Sequence, residues 1–570
     1  MNLRLSRSCE LHYGLEAKQA IAYLGEKALQ GGGKSEDQPF SGLNATSPRC
    51  MVMVGATFIF IKKPKEGIVM FKNFNGFHLV DAYHNMRLEK WFQPGKVFKK
   101  TVMAIVVVFI TLLLWNLPSS SFGIEGLNVV QQRIIAIFAF ATLMWVFEVV
   151  PSWATSVAVL VLMLLFCSDS GVKWLCQPEE VGKLLSYKGV MACFADPVIM
   201  LFIGGFILAI AATKTGLDAQ LAKVLLKPFG KRSEMVLLGF LLITGLFSMF
   251  VSNTATAAMM LTFLTPVFKQ LPPEGKGRIA LALSIPIAAN LGGMGTPIGT
   301  PPNTIALKYL NDPEGLNLQL GFGEWMLFMV PLVMVLLFFG WMMLKWLFPF
   351  TQKTIELDIE GGMKPGIKSK IVIITFIVTV VLWLLDSVTG INSYTVALIP
   401  FVVFSLTNVI DRRDLEEINW SVIWMVAGGF ALGYGLNESG LAALAVKSIP
   451  FGEFSPIVIL LLSGILCYIL SNFISNSATA ALLMPILVVV CSAMGDKLSA
   501  IGGTPTILIG VAIASSSAMV LPISTPPNAL AYATNLVHQN DMAKIGVITG
   551  IISMILGYVL LYFIGISHLL

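Results

Sequence analysis

An all-α polytopic membrane protein built on an inverted repeat is the class that this sequence predicts, on three observations. The 570 residues are 56% apolar and only 12% charged, with mean hydropathy +0.80; soluble domains carry about 25% charged residues. Many apolar runs reach or approach the roughly 20 residues that cross a bilayer as a helix, not the short alternating segments of a membrane barrel. Several polar motifs also occur twice inside these runs, in the same order and at almost constant separation.

The first stretch differs from the rest. Residues 1–85 include the polar, flexible "LQGGGKSEDQPF" and show no basic region followed by an adequate apolar core, so no cleaved signal peptide is expected. The apolar run Met51–Ile61 is too short to span. We read residues 1–85 as a cytoplasmic extension, poorly ordered, and 86–570 as the membrane domain. Eleven spans are then expected: Val102–Leu117, Ile134–Val150, Trp153–Cys167, Val198–Ala212, Ile279–Ala289 with its continuation, Trp325–Phe348, Ile371–Leu385, Val396–Val409, Val422–Leu436, Pro505–Leu521 and Ile545–Ile566.

Lysine and arginine set their direction, because cytoplasmic loops are enriched in both. "MRLEKWFQPGKVFKK" places the start of the first span inside. "KVLLKPFGKR" (Lys223–Arg232) and "KQLPPEGKGR" (Lys269–Arg278) flank the segment 236–268 and both belong inside. That segment is therefore expected to enter and leave by one face as a re-entrant hairpin, a course tolerated where the backbone is buried in protein or lines a cavity. "YLNDPEGLNLQLGFGEW" falls outside, "TQKTIELDIEGGMKPGIKSK" inside, "DSVTGINSY" outside and "DRRDLEEINW" inside. A second hairpin, 457–490, then enters from the opposite face, with the N-terminus inside and the C-terminus outside. The ordinary alternative makes each hairpin one or two full spans.

The repeat rests on matched pairs. Gly204-Gly205 and Gly428-Gly429 are 224 apart, as are Thr215-Gly216-Leu217 and Ser439-Gly440-Leu441. "VSNTATAAMM" matches "ISNSATAALL" at 223, and "GTPPNTIAL" matches "STPPNALAY" at 225. Three pairs in one order mark a duplication, with repeats at about 134–349 and 371–570. The first GGF helix is expected to end inside and the second outside, which makes the repeats inverted, a pattern of secondary transporters.

Ser252-Asn253-Thr254 and Ser475-Asn476-Ser477 are good helix N-caps followed by strong helix formers, so each is expected at a hairpin tip. Helix N-termini present free N–H groups and a positive dipole end, which suit anions. The same side-chain oxygens, with backbone carbonyls, suit a hard cation such as Na⁺. In "GGMGTPIGTPPN" the glycines and prolines cannot continue a helix. Thr300 is expected to cap a new helix whose first turn holds Pro301, exposing the Gly299 carbonyl; "LPISTPPNALAY" repeats this around Ser524 and Thr525. A capped helix without ligand or a plain proline kink would explain either motif alone, but duplication of both argues against that. Neither motif contains Lys, Arg, His, Asp or Glu. A dianion there would be balanced by dipoles, hydrogen bonds and co-bound cations, a physical route to symport that favours sodium over protons. Glu148 and Asp196 are the remaining membrane acids, read as structural. Seven scattered cysteines and five scattered histidines offer no metal or hydrolase site, and the basic residues lie in loops rather than in a patch for nucleic acid.

"WVFEVVPSWAT", "LFIGGFILA", both SN[TS]ATAA tips and both TPPN breaks resemble the divalent anion/sodium symporter family over about residues 100–570. The resemblance implies a homodimer of eleven-span protomers in which a transport part, holding the hairpins and broken helices, moves as an elevator against a scaffold. It implies one sodium site at Ser248, Ser252, Asn253 and the Gly299 carbonyl. A second would use Ser471, Asn476 and the carbonyls of Ile474 and Ser524. Substrate carboxylates would meet Ser252, Asn253, Thr254, Ser475, Asn476 and Ser477, with Thr300 and Thr525 alongside. The second tip reads SNS where SNT is commoner, and Ser524 stands where Ala is frequent. The expected activity is sodium-coupled symport of C4-dicarboxylates across the plasma (inner) membrane, with no enzymatic function. A sodium-independent dicarboxylate exchanger, or a sulfate or citrate carrier, is the alternative.

Overall fold

The computed structural model describes residues 4–5, 49–54, 57–62 and 94–566, apart from 178–180, 273–274, 314, 357–361 and 449–453. Two units divide the chain, Met1–Phe74 and Asn75–Leu570. In the first, β1 (Arg4–Leu5), β2 (Arg49–Val54) and β3 (Thr57–Lys62) form an antiparallel sheet in the order β1-β2-β3, with Cys50 opposite Ile61 and Val52 opposite Ile59. The described residues of the apolar run Met51–Ile61 thus lie on the paired strands β2 and β3. Most of the extension expected over 1–85 lies outside the described residues.

In the second unit every labelled element is helical. α1 (Pro94–Asn116), α2 (Val129–Val146), α3 (Ser152–Cys167) and a short α4 (Tyr187–Ala192) lead to α5 (Pro197–Thr215). Local chemistry sets their ends. Asn128 and Gln131 form a capping box at the start of α2, with bonds of 2.9 and 3.0 Å. Asp196 caps α5 ahead of Pro197, and Gly216, at φ +72°, closes it in the left-handed conformation that favours glycine. Then follow α6 (Leu217–Leu226), α7 (Ser233–Ser248), α8 (Asn253–Gln270), α9 (Lys276–Gly293), α10 (Pro301–Leu310) and α11 (Phe322–Leu347). After α12 (Ile367–Leu384) and α13 (Ser393–Leu406) comes a second series of seven. It comprises α14 (Trp420–Glu438), α15 (Leu441–Ser448), α16 (Pro456–Phe473), α17 (Asn476–Met494), α18 (Gly503–Ser516), α19 (Pro526–Ala533) and α20 (Gln539–Ile566). It follows the same order of long and short helices as α5 to α11.

Among the described residues, eight helical segments are long and apolar enough to cross a membrane, and α3, α7, α13 and α18 are shorter apolar helices. The protein is integral to the membrane. Burial separates the helices by role. α9 is buried on all sides from Ala280 to Gly293, and α18 from Pro505 to Ser516; a helix apolar all round belongs inside. α1 is the opposite case, with Ile105, Phe109 and Leu112 more than half exposed.

Helices α7 to α11 and α16 to α20 pack on one another, and each short proline-led helix sits against a helix of the other series, α10 on α17 and α19 on α8. A second group joins α3 with α14, α5 with α13, and α12 with both α5 and α13. The GGF glycines explain the close approaches. A Cβ on Gly204 would fall 2.1 Å from the Ala397 carbonyl oxygen on α13, and one on Gly428 would fall 2.4 Å from Ser156 Cβ on α3. The second glycine of each pair faces the other helix group: Gly205 faces Ile298 and Gly429 faces Ala481. Small residues let membrane helices pack closely where lipid supplies no hydrophobic drive.

Candidate functional site

α7 ends at Ser248, four residues turn, and α8 begins at Asn253. Ser252 caps α8: its Oγ accepts from Ala255 N at 3.3 Å, and its carbonyl accepts from Thr256 N at 3.0 Å. That leaves the Asn253 and Thr254 N–H groups outside the cap, at the positive end of an 18-residue helix. The second tip repeats this. Ser475 Oγ accepts from Ala478 N at 3.2 Å and its carbonyl from Thr479 N at 3.0 Å, outside which lie the Asn476 and Ser477 N–H groups. Ser252, Asn253, Thr254, Ser475 and Asn476 are half-buried and Ser477 is buried.

Behind the first tip, four oxygens converge. Ser248, fully buried, donates from Oγ to the Ala289 carbonyl at 2.7 Å. The Asn253 amide end lies 2.6 Å from Ser248 Oγ, 3.1 Å from the Gly299 carbonyl oxygen and 3.3 Å from that of Ala289. With its nitrogen turned inward, Asn253 donates to all three. With its oxygen inward, the side chain joins a ring of oxygens, and which way an amide points follows from its partners. A hard cation bound by oxygens at about 2.3–2.6 Å sets neighbouring ligands about 3.3–3.7 Å apart; the 2.6, 3.1 and 3.3 Å separations here are hydrogen-bonding ones, which an ion would have to widen. Behind the second tip, Ser471 Oγ and Asn476 Oδ1 are buried with no hydrogen-bond partner among the described residues. Buried polar atoms are normally paired, and these two are exceptions. Ile474 is buried beside them, its N–H bonded to Leu470 O at 2.8 Å.

The breaks between α9 and α10 and between α18 and α19 are held by their own asparagines. Asn303 Nδ2 donates to the carbonyls of Gly293, Met294 and Thr296 at 3.0, 3.3 and 2.8 Å. Asn528 Nδ2 donates to those of Met519 and Leu521 at 2.8 and 3.0 Å. In both repeats the TPPN asparagine thus satisfies carbonyls nine and seven residues back, which the broken helix leaves open. Thr300 and Thr525 cap α10 and α19 as expected from position, yet only Thr525 makes a side-chain cap bond, accepting from Asn528 N at 3.3 Å. A hydroxyl straps each tip to its break: Thr296 Oγ1 donates to the Met249 carbonyl, and Ser524 Oγ donates to the Asn472 carbonyl at 3.0 Å. Asn472 adds its amide, accepting from Val520 N at 2.9 Å.

Sequence reading missed Asn290, Asn472 and Lys308. Asn290, on α9, reaches Thr525 and Asn528 of the other series; its signal was a lone amide in an apolar run. Lys308, on α10, forms an ion pair with Asp196 and lies 4.7 Å over the Phe430 ring. Asp196 is accordingly structural, both cap and counter-ion. Glu148 is exposed at the end of α2, its carbonyl bonded to Lys100 at 3.0 Å.

Buried broken helices and paired capped tips fit one class, the helical membrane transport protein. The citrate transporter family (CitMHS) matches residues 142–502. The sodium-dependent dicarboxylate transporter SdcS of Staphylococcus saprophyticus is 30% identical over 521 residues, covering 85% of this chain and 94% of that protein. SdcS of Staphylococcus aureus (strain USA300) is 29% identical over 470 residues, covering 76% and 85%. The chain belongs to the divalent anion/sodium symporter family. Among solved structures, the YdaH transporter of Alcanivorax borkumensis shows a looser likeness, at TM-score 0.49 and 13% identity over 73% of this chain and 98% of that chain.

Proposed function

We propose that the protein is a sodium-coupled symporter of C4-dicarboxylates such as succinate, malate and fumarate. The observation that carries this reading is the pair of capped tips, Ser252-Asn253-Thr254 and Ser475-Asn476-Ser477, each backed by an oxygen pocket and none bearing a fixed charge. Two helix N-termini supply about +0.5 charge each, roughly half of what a dianion requires. Co-bound sodium supplies the rest, so anion binding depends on cation binding.

Sodium at the first site is held by Ser248, Ser252, Asn253 and the Gly299 carbonyl. At the second it is held by Ser471, Asn476 and the Ile474 and Ser524 carbonyls. The Asn253 amide gives the coupling a local form. Nitrogen inward, it satisfies the Gly299 and Ala289 carbonyls in the empty site; oxygen inward, it serves the ion. Substrate carboxylates take the N–H groups and hydroxyls of both tips, with Thr300 and Thr525. The proposed architecture has eleven spans, two re-entrant hairpins and an inverted repeat, and the matched order of α5 to α11 and α14 to α20 supports it. The packing of α7 to α11 with α16 to α20 supports an elevator motion of that group, in a homodimer in the plasma membrane with the N-terminus cytoplasmic.

Reconstituted protein should concentrate labelled succinate only with an inward sodium gradient, and Asn253→Ala and Asn476→Ala should each abolish that sodium-driven uptake. Uptake that is equal in potassium and stimulated by internal succinate would replace symport with exchange. Citrate is the second reading, favoured by the family matched over 142–502; competition by unlabelled citrate and sulfate separates it from succinate.

A further inference from the structure

We infer that Asn290 is a positioning residue that fixes the Thr525 hydroxyl as a hydrogen-bond donor to a substrate carboxylate; this rests on the transport reading above. Asn290 lies on α9 and is 2% exposed. Its Nδ2 donates across to the second repeat, 3.1 Å to Thr525 Oγ1 and 3.2 Å to Asn528 Oδ1. Thr525 Oγ1 also accepts from Asn528 N at 3.3 Å. A hydroxyl oxygen has two lone pairs and one proton. Both acceptor positions of Thr525 are therefore taken, and its proton is left to donate. Carboxylates accept and cannot donate, so this polarity suits an anion and not a cation.

Thr300, the counterpart of Thr525, lacks the device. The position that matches Asn290 at the 225-residue offset is Ser515, whose Oγ donates to Ala512 O in its own helix at 3.0 Å. Correspondingly, Thr300 makes no side-chain cap bond, and Asn303 Oδ1 is buried with no partner among the described residues. One asparagine thus makes the two halves of a duplicated site chemically unequal, with one threonine held as a donor and the other free to turn.

The test is a double-mutant cycle on sodium-driven succinate uptake by reconstituted full-length protein at saturating sodium. Asn290→Ala and Thr525→Val should each raise KM for succinate roughly tenfold or more, the loss of one hydrogen bond to a charged group, with less than a twofold change in maximal rate. The double variant should be no worse than Thr525→Val alone, because Asn290 acts through Thr525. Asn290→Asp keeps the shape but turns the Thr525 proton toward itself, and should raise KM at least as much; it serves if the alanine variant does not fold. Multiplicative effects in the double variant, or an unchanged KM in Asn290→Asp, would overturn the inference while wild-type uptake stands. Absence of sodium-driven succinate uptake in the wild type would remove the transport reading and this inference with it.

Discussion

Replacing Lys308 by methionine tests how the two helix groups are joined. Its ammonium pairs with Asp196 at the head of α5 and lies over Phe430 of α14, so one side chain ties α10 to two helices of the other group. The side chains of Lys308 and Asp196 retain 25% and 12% of their exposure. Breaking a buried pair costs about 3–5 kcal/mol, and an exposed one at most about 1 kcal/mol. With this partial exposure, Lys308→Met should cost about 2–3 kcal/mol, because Asp196 keeps only the Val198 N–H at 3.0 Å. Asp196→Asn should cost less, about 1–2 kcal/mol. Asparagine still caps a helix, and Lys308 can extend into the adjoining cavity of about 630 Å³ that both residues line. The double variant should recover to within about 1 kcal/mol of wild type. The assay is thermal unfolding of the four proteins in one detergent, analysed as a cycle. Strict additivity, with the double variant destabilised by the sum of the singles, would refute the pairing as the source of the effect.

Other expectations follow from single contacts. Asn528→Ala strands the Met519 and Leu521 carbonyls and should lower stability by about 2–4 kcal/mol, seen as a reduced unfolding midpoint and loss of uptake together. Ser248→Ala removes a buried bonded hydroxyl and should cost about 1 kcal/mol, whereas Ser471→Ala removes one without a partner and should leave the midpoint unchanged while weakening sodium activation of uptake. Gly204→Ala would place a methyl 2.1 Å from the Ala397 carbonyl, and membrane yield should fall to near zero; normal yield would show that α5 and α13 can separate cheaply. In the loops, Glu356 is held below the usual carboxylate range first by its hydrogen bond from Lys231, and Asp411 first by the Arg413 N–H. A depressed carboxylate stabilises the fold above its ordinary value and loses that contribution as pH falls through the folded one. The unfolding midpoint should therefore be flat from pH 6 to 8 and decline only in acid.

The tips and breaks were legible because their causes are local. Ser252 and Ser475 cap the helices that follow them, and Pro301 and Pro526 can begin a helix but cannot continue one. Their occurrence twice was legible because the motif spacing is written in the sequence. What escaped is non-local: Asn290 meets Thr525 across 235 residues, and Lys308 meets Asp196 across 112. Nothing in the neighbourhood of either residue announces its partner. The GGF pairs were visible as a repeat, but their role was not, since a glycine shows no sign of the Ala397 or Ser156 atoms that fill the space of its missing side chain.

The two straps bear on how the halves diverged. Thr296 ties the first tip and Ser524 the second, yet these are not equivalent positions: at the 225-residue offset Thr296 matches Leu521, and Ser524 matches Gly299. A side chain at 299 would meet the Gly293 carbonyl oxygen at 2.4 Å, so the first half has no room for a serine there. Its hydroxyl sits three residues earlier instead. The bond to the tip is therefore made from different positions in the two halves. Each half holds its own tip carbonyl, Met249 or Asn472, from a different position, and because each strap closes within one half, a chimera made from two copies of either half would carry that half's strap twice, intact.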